Sequence, residues 1–208
     1  TVHGDLLLDS EQISAKDKHV VVIGGGDTGA DCVGTSNRHG AKSITQLEIL
    51  PQPPEDRPDH QPWPLWATVY KTSTSHKEGS ERKFAVSTKE FQGIDDQVNK
   101  LKCVEVEWTQ ENGAWSMQEI AGSEFELDAD LVLLAMGFIH PEIDGLVDDV
   151  GVGLTNRQNV RINSEYMTTV DGVFTAGDAS RGASLVVWAI FEGRKAAESI
   201  DKYLIGDS

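Results

Sequence analysis

The chain of 208 residues is long enough for one large domain or two small ones, and its 38% hydrophobic and 25% charged residues are typical of a globular protein. Its formal net charge of −16 argues against nucleic acid as a partner, because phosphate binding needs clustered Lys and Arg. Apolar runs are all shorter than the roughly 18 residues of a membrane-spanning helix, so we expect no membrane partner.

The two cysteines, Cys32 and Cys103, lie far apart and form neither a C-x-x-C pair nor a cluster-binding motif. The six histidines show no ligand spacing, so we assign no metal site. Unpaired thiols favour a reducing environment, and no signal peptide is visible at the N-terminus. We therefore expect a cytoplasmic protein.

The first predicted elements form a strand–helix–strand unit. Residues 1–17 lack periodicity and are predicted to be a linker. His19–Ile23 is a continuous apolar, β-branched run, as expected of a strand buried on both faces. Residues 27–39 predict a helix that stops at Gly40, and residues 44–50 predict a second strand. This order and spacing are typical of a βαβ crossover.

A glycine motif, Gly24-x-Gly26-x-x-Gly29, separates the first strand from the helix. Gly24 permits a tight turn, Gly26 lets the backbone approach a pyrophosphate, and Gly29 allows close contact between helix and sheet. The helix N-terminus then points its free N–H groups at the phosphates. A plain glycine turn is the alternative. The pyrophosphate is assigned to Gly24, Gly25, Gly26, Asp27, Thr28 and Gly29.

Glu48 stands at the end of the second strand, near the roughly 20-residue separation from the glycines that is expected of a ribose ligand. Its carboxylate would accept hydrogen bonds from the ribose hydroxyls of NADH and repel the 2′-phosphate of NADPH. No Arg-Arg pair follows, and Arg57 is the nearest guanidinium. We therefore favour NADH over NADPH. The alternative is that Glu48 is merely an exposed strand end.

Residues 51–66 hold six of the seven prolines, which excludes regular helix and central strand. We predict an ordered surface loop anchored by Trp63 and Trp66; a lid near the adenosine site or a subunit contact is the functional alternative.

Residues 71–83 are polar and predict another loop. An Asn112-Gly113 hairpin turn joins two of the short strands that follow. These strands are predicted at residues 84–91, 101–109, 114–120 and 125–127.

Leu131–Ala135 predicts a further buried strand, closed by Met136 and Gly137. Residues 160–162 and Val173–Ala176 predict short strands, the second ending at Gly177-Asp178, and Ser184–Leu204 predicts a long helix capped by Ser184.

The residues around Gly177-Asp178 suit a flavin. The Asp178 carboxylate could accept a hydrogen bond from the ribityl chain, and the N-terminus of the long helix would stabilise negative charge on the reduced ring. Arg181 is placed to reach a flavin, a phosphate or a carboxylate. An ordinary turn before a helix is the alternative. The remaining cofactor contacts are assigned to Met136, Gly137, Gly177, Asp178, Ser184, Leu185 and Val186.

Together these segments resemble the NAD(P)H-dependent glutamate synthase small (β) subunit, from about residue 13 to 205. The family belongs to the two-dinucleotide-binding-domain flavoproteins, in which an NAD(P)H domain is inserted into an FAD domain. The run from 181 to 195 is specific for the family. The matching segments are VVVIGGGDTGADC (20–32), LEILPQPP (47–54), WPLW (63–66), STKEF (87–91), LAMGF (134–138), AGD (176–178), RGASLVVWAIFEGRK (181–195) and its continuation to residue 197.

The resemblance implies an α/β fold: a Rossmann-like NAD(P)-binding domain, with a parallel sheet and an antiparallel crossover meander, followed by the C-terminal portion of an FAD-binding domain. The chain would correspond to the C-terminal part of the subunit, with residues 1–17 a linker from a missing half of the FAD domain, 18–137 the NAD(P)H domain and 138–208 the C-terminal portion of the FAD domain. Family members carry iron–sulfur cysteines and a first glycine motif upstream of the matching region. We therefore expect this chain to bind FAD weakly or not at all without that region.

The resemblance also implies a function in electron input. NAD(P)H gives a hydride to FAD, and electrons pass through iron–sulfur clusters to FMN on the large (α) subunit, where 2-oxoglutarate and glutamine-derived ammonia become glutamate. Hydride transfer to a flavin needs alignment rather than an acid or base, so no catalytic residue is assigned. Two alternatives stay open: an electron-input subunit of a dihydropyrimidine dehydrogenase-like or sulfide dehydrogenase-like enzyme, and a non-enzymatic NADH-binding module.

Overall fold

A computed structural model describes residues 13–65, 67–111 and 114–206, without the side chain of Glu111. Most of the predicted linker, the predicted anchor Trp66 and the predicted Asn112-Gly113 turn lie outside the described residues. The described chain divides after Met136 into two compact units. The strands are β1 His19–Ile23, β2 Ser43–Glu48, β3 Glu81–Phe84, β4 Val86–Ile94, β5 Gln97–Glu111, β6 Ala114–Glu119, β7 Phe125–Asp128 and β8 Leu131–Leu134. The helices are α1 Asp27–Arg38, α2 Thr74–Lys77, α3 Leu146–Val150, α4 Asp178–Arg181 and α5 Val186–Ile205.

The first unit is built on a parallel sheet with strand order β3-β2-β1-β8. Val20 pairs with Ile44 of β2 on one side and with Leu131 of β8 on the other. The side chains of Val20, Val21 and Val22 are at most 1% exposed. The prediction of a β1 strand buried on both faces is confirmed, because a central parallel strand is covered by packing on each face of its sheet.

Two apolar clusters cover the two faces of this sheet. On one face, Val20 and Val22 pack in a cluster with Val33 of α1. On the other face, Val21 packs in a cluster with Leu101 and Cys103 of β5. The antiparallel meander supplies these β5 residues: β5 pairs with β4, β6 and β7. The predicted α/β fold with a parallel sheet and an antiparallel meander is confirmed.

The prediction of a loop over residues 71–83 is wrong. The segment contains α2, whose N-cap Ser73 accepts a hydrogen bond from the His76 N–H, and the start of β3. Strand β3 lies at the edge of the sheet and pairs in parallel with β2, Glu48 opposite Phe84. Polar residues suit an edge strand, and its pairing is long-range, so local polarity misled the prediction. The predicted 84–91 strand is also divided, since Ala85 has φ +54° between β3 and β4.

In the second unit, the long helix is confirmed as α5, but the short strands predicted at residues 160–162 and 173–176 are not formed in the described chain. Only the isolated bridges Leu154–Val160 and Met167–Phe174 are present there. A strand needs a partner with which to build a ladder, and these segments find one residue each. Asp178 consequently opens the one-turn helix α4 rather than following a strand. Among the described helices, none has the length and apolarity that crossing a membrane requires.

Candidate functional site

Two glycines of the motif sit where a side chain does not fit. Gly24 has φ +127°, its N–H donates to the Leu47 carbonyl at 2.8 Å, and a Cβ there would lie 2.2 Å from the Ala135 carbonyl oxygen. A Cβ on Gly29 would lie 2.1 Å from the Gly24 carbonyl oxygen. Real Cβ atoms do not approach backbone this closely. The glycine turn therefore packs closely against the ends of β2 and β8 and against the start of α1.

Gly26 differs from its neighbours because it faces open space. It is the N-cap of α1 with φ −79°, and a Cβ built on it meets no described atom within 4 Å. No described side chain caps this helix, so its first N–H groups remain available from Asp27 onward. Free N–H groups and the positive end of a helix dipole together form a binding place for an anion.

Glu48 lies beside this turn. A Cβ on Gly25 would be 2.1 Å from the Glu48 Oε2, and Oε1 accepts a hydrogen bond from the Leu50 N–H at 3.0 Å. The two residues meet because β1 and β2 are parallel neighbours and end at the same edge of the sheet. The Leu50 N–H holds one carboxylate oxygen, Oε1, and this fixes the direction in which the other oxygen, Oε2, points.

A cavity of about 720 Å³ opens at this edge, within the first unit. Gly25, Gly26, Asp27 and Glu48 of the predicted set line it; Gly24, Thr28 and Gly29 do not. The other walls come from α2, from β3 and the segment before it, from two tryptophans of the meander, and from the proline-rich segment. Its proline-rich wall comprises Leu50, Pro51, Gln52, Pro53, Pro54, Pro58, His60 and Gln61.

A cation–aromatic cluster forms part of the cavity wall. The Arg82 guanidinium lies 4.6 Å from the ring centroid of Tyr70 and 5.2 Å from that of Phe84. Its Nη1 donates to the Lys71 carbonyl at 3.0 Å. Sequence reasoning missed this cluster because it depends on β3 lying beside β2. The alternation in Arg82-Lys-Phe84, which places the first and third side chains on one face, was the available signal.

The proline-rich segment is tied down by hydrogen bonds, but not by the predicted anchor. Trp63 is 83% exposed, so the anchoring role predicted for it is wrong. Trp108 of β5 instead holds the chain just before the segment: its Nε1 donates to the Ile49 carbonyl at 2.8 Å. The Tyr70 N–H donates to the Pro54 carbonyl at 2.7 Å. An indole N–H anchors a segment only where a carbonyl is within reach, and tertiary packing decides this.

In the second unit, Gly177, one of the residues assigned to a flavin, contacts a buried carboxylate, that of Glu192, which is 6% exposed. The Gly177 N–H donates to its Oε2 at 2.9 Å, and the Arg181 Nε donates to its Oε1 at 2.6 Å. The Arg181 guanidinium also lies 4.6 Å from the Trp188 ring centroid. Of the three partners considered for Arg181, the structure shows a carboxylate. Sequence reasoning missed Glu192.

Ser184 does not cap α5, so that prediction is wrong. Its N–H and its hydroxyl both donate to Oδ1 of Asp178, at 3.2 and 3.3 Å, and Leu185 occupies the N-cap position. One residue before the cap, a serine hydroxyl lies too far from the first turn and takes the carboxylate instead. No described side chain caps the helix, and Leu185 and Val186 are 68% and 70% exposed.

The last two assigned residues follow β8. The Met136 backbone nitrogen would be 3.3 Å from a Cβ on Gly24, so this residue lies beside the glycine turn. Its side chain is 65% exposed. Gly137 has φ +85°, a conformation that favours glycine, and begins the second unit.

Comparison with known proteins identifies relatives of this chain. The chain is 51% identical over 208 residues to the glutamate synthase [NADPH] small chain of Mycobacterium tuberculosis strain H37Rv, covering 99% of this chain and 42% of that protein. It is 43% identical over 212 residues to the glutamate synthase [NADH] of Saccharomyces cerevisiae, covering 97% and 10% respectively. The chain thus spans less than half the length of these relatives. The predicted resemblance to the glutamate synthase small subunit is confirmed.

Solved structures share the fold. The thioredoxin reductase of T. acidophilum superposes with a TM-score of 0.61 at 23% identity, covering 99% of this chain and 56% of that one. FprA from Mycobacterium tuberculosis, in complex with NADPH, gives 0.66 at 13% identity, covering 92% and 53%. Residues 3–193 match the family described as pyridine nucleotide-disulphide oxidoreductase. The chain belongs to the pyridine nucleotide-disulphide oxidoreductase family.

Proposed function

We propose that this protein is the electron-input part of a glutamate synthase and that its first unit binds NAD(P)H. The cavity is the observation that carries the proposal: Gly26 and the start of α1 open into it, and Glu48 lines the same space. The pyrophosphate would lie on the N–H groups at Gly26 and Asp27, which line the cavity. Gly24 would close the turn, and Thr28 and Gly29 would belong to the first helical turn behind it.

The same cavity supports a preference for NADH over NADPH. Glu48 Oε1 accepts from backbone, and Oε2 lies beside Gly25, where a ribose hydroxyl attached to the bound pyrophosphate would reach it. A carboxylate there accepts from hydroxyls and repels a phosphate. The fixed guanidinium of Arg82 would then stack on the adenine ring with Tyr70, rather than pair with a 2′-phosphate.

Replacing Glu48 tests this preference. Glu48→Arg replaces a carboxylate that repels the 2′-phosphate of NADPH with a guanidinium that can pair with it. The substitution should shift the NADH-to-NADPH affinity ratio toward NADPH by about 1–2 kcal/mol. Titration of both nucleotides, monitored by their fluorescence, measures the ratio. Glu48→Gln, which removes charge without adding any, is the control and should give a smaller shift. An unchanged ratio in Glu48→Arg, or selective loss of NADPH in Arg82→Ala, would contradict a carboxylate-based preference for NADH.

The second unit would supply one edge of a flavin site. The uncapped first turn of α5, at Leu185 and Val186, offers N–H groups to a ligand, and Asp178 keeps one oxygen beyond its Ser184 bonds. Gly177 would complete this edge, and Met136 and Gly137 remain predicted cofactor contacts. When bound, FAD supplies the hydride-accepting ring. In this proposal, residues 18–137 form the NAD(P)H domain and 138–208 the C-terminal portion of an FAD domain.

Disulfide reduction, an activity suggested by the family's description, is not favoured. The 208 residues contain no C-x-x-C pair. Burial raises the pKa of the Cys32 thiol, as does Asp31, and burial raises the pKa of the Cys103 thiol. A thiol with a raised pKa is a poor nucleophile at neutral pH. Electron transfer to a partner suits the chain better, and the two free thiols agree with the proposed cytoplasmic location.

The partners would be the glutamate synthase large (α) subunit, or an equivalent domain, and the FAD and iron–sulfur region that relatives carry upstream.

The decisive experiment combines the full-length natural protein with its large subunit, NADH, glutamine and 2-oxoglutarate. We expect glutamate formation with the large subunit and reduction of a dye acceptor without it. Dye reduction without glutamate would favour another flavin and iron–sulfur enzyme. Nucleotide binding without dye reduction would favour a sensing module.

A further inference from the structure

Gln46, in the middle of β2, is a buried polar side chain with a specific task. It is 2% exposed and lies between the buried residues Thr45 and Leu47 of the same strand. Its Nε2 donates to the Gly24 carbonyl at 2.8 Å, across the turn that begins the cavity. A buried amide without partners is costly, so its bonds decide where it points. Gln46 thus holds the first glycine of the motif from the side of the sheet.

The other end of the Gln46 amide is held by His76 of α2. The His76 Nε2 lies 2.8 Å from the Gln46 Oε1. Since the amide nitrogen donates to Gly24, the amide oxygen must accept, and His76 Nε2 therefore carries a proton. Ser73 fixes the opposite side of the ring: its backbone N–H donates to Nδ1 at 3.2 Å, and its hydroxyl lies 2.9 Å from Nδ1.

These bonds run in one direction, from His76 to Gln46 to Gly24. The bonds to Gln46 and Gly24 need a proton on His76 Nε2, and the bond from the Ser73 N–H needs a neutral Nδ1. Burial, and then the charge of Arg82, lower the pKa of His76, which agrees with a neutral ring. The Gly24 carbonyl at the end of the chain is the atom that a side chain on Gly29 would strike at 2.1 Å. Its position therefore sets where α1 begins.

We infer that Gln46 and His76 are positioning residues for the dinucleotide site: they orient the Gly24 peptide so that the N–H groups from Gly26 onward face the cavity. The inference rests on the proposed NAD(P)H binding, because it concerns how that site is preorganised. Neither residue need touch the pyrophosphate. Gln46 does not line the cavity; His76 does line it, and it acts on the turn through Gln46. A displaced turn loses ligand hydrogen bonds together, since all come from one rigid segment.

Hydrogen–deuterium exchange of the full-length protein without nucleotide tests the positioning directly. In His76→Leu, the segment from residue 23 to 30 should exchange faster than in the wild type. His76→Gln keeps an N–H near the Nε2 position and should restore most of the protection. Asn37→Ala is the matched control, because Asn37 Nδ2 donates to the Gly79 carbonyl at 2.7 Å and ties α1 to the same region without touching the turn. Equal effects of His76→Leu and Asn37→Ala on this segment would overturn the inference.

Titration of the same variants with NADH and NADPH tests the consequence. The loss of one buried hydrogen bond should weaken binding about three- to tenfold in His76→Leu, with recovery in His76→Gln. In a Gln46→Met background the further change to His76→Leu should cost little. If His76→Leu weakened nucleotide binding in that background as much as it does in the wild type, His76 would contact the nucleotide itself, and the inference would be overturned. A wild type that binds neither nucleotide would refute the proposed function, while the exchange measurement would still decide the positioning of the turn.

Discussion

At the residue scale, Gly26 and Gly29 belong to one motif but have different surroundings. A side chain on Gly29 would meet the Gly24 carbonyl at 2.1 Å, whereas one on Gly26 would enter open space. We expect Gly29→Ala to lower the free energy of unfolding by about 1–3 kcal/mol, since backbone must move. Gly26→Val should cost about 1 kcal/mol, since valine is a poor N-cap residue, and should abolish NADH binding, because its side chain would occupy the pyrophosphate position.

Thermal unfolding and NADH titration of the two variants separate these effects. Gly193→Ala is the control, because a Cβ there also meets no described atom within 4 Å and Gly193 lies in α5 of the second unit. It should retain NADH affinity and should not lose stability, since alanine favours a helix interior more than glycine does. Normal NADH affinity in Gly26→Val would show that the pyrophosphate does not lie on this turn.

His76 makes the stability of the first unit depend on pH. Its pKa in the folded protein is lowered, first by burial and then by Arg82, whereas in the unfolded chain it returns to about 6.5. The unfolded state therefore binds more protons between the lowered pKa and about 6.5. The stabilisation is complete above that range and is lost as pH falls through the folded pKa. Arg82 and Lys71 add positive charge around the same cavity, and Glu48 and Asp27 add negative charge.

The expected result is a loss of stability on acidification that is smaller in His76→Gln, which cannot be protonated. Urea unfolding at pH 7.5 and at about 5.5, with wild type and variant side by side, measures the difference. The five other histidines are common to both proteins, so their titration cancels in this comparison. Equal pH dependence in both proteins would contradict the lowered pKa.

At the scale of elements, the proline-rich segment and β5 act together as a cavity wall. Trp108→Phe keeps an aromatic ring but removes the Nε1–H that reaches the Ile49 carbonyl at 2.8 Å. We expect a cost of about 1 kcal/mol in stability, faster hydrogen exchange in residues 49–65 and weaker NADH binding. Trp115→Phe is the control, because Trp115 also lines the cavity but is 65% exposed. Unchanged exchange in Trp108→Phe would mean that other contacts hold the segment.

The same elements show what local pattern predicts and what it misses. β1, α1 and β2 were predictable because their apolar period and their glycines are local signals. β3 was missed because its four residues, Glu81 to Phe84, become a strand only by pairing with β2. The strand predicted at Val173–Ala176 is the opposite case. The apolar pattern is present, but within the described residues this segment pairs at a single position.

At the scale of the whole molecule, the two proposed cofactor sites differ in completeness. The cavity for NAD(P)H is lined by the first unit alone, whereas the second unit offers a helix face with exposed apolar residues. We expect the 208-residue chain to bind NADH but to bind FAD weakly or not at all. Titration with each cofactor tests this, and a longer protein that includes the upstream region of its relatives is the comparison. Yellow, flavin-containing protein on purification of the 208-residue chain would contradict the expectation.

By itself, the amino-acid sequence determined the βαβ unit, the glycine turn and the carboxylate at the end of β2, because each depends on residues within one short stretch. Only the tertiary structure decided which groups from elsewhere surround the site: Arg82 on β3 and Trp108 on β5 line the cavity, and the Gln46–His76 pair holds Gly24. The physical reason is that these contacts join segments far apart in the chain. Their geometry follows from strand pairing and packing, which local periodicity does not encode.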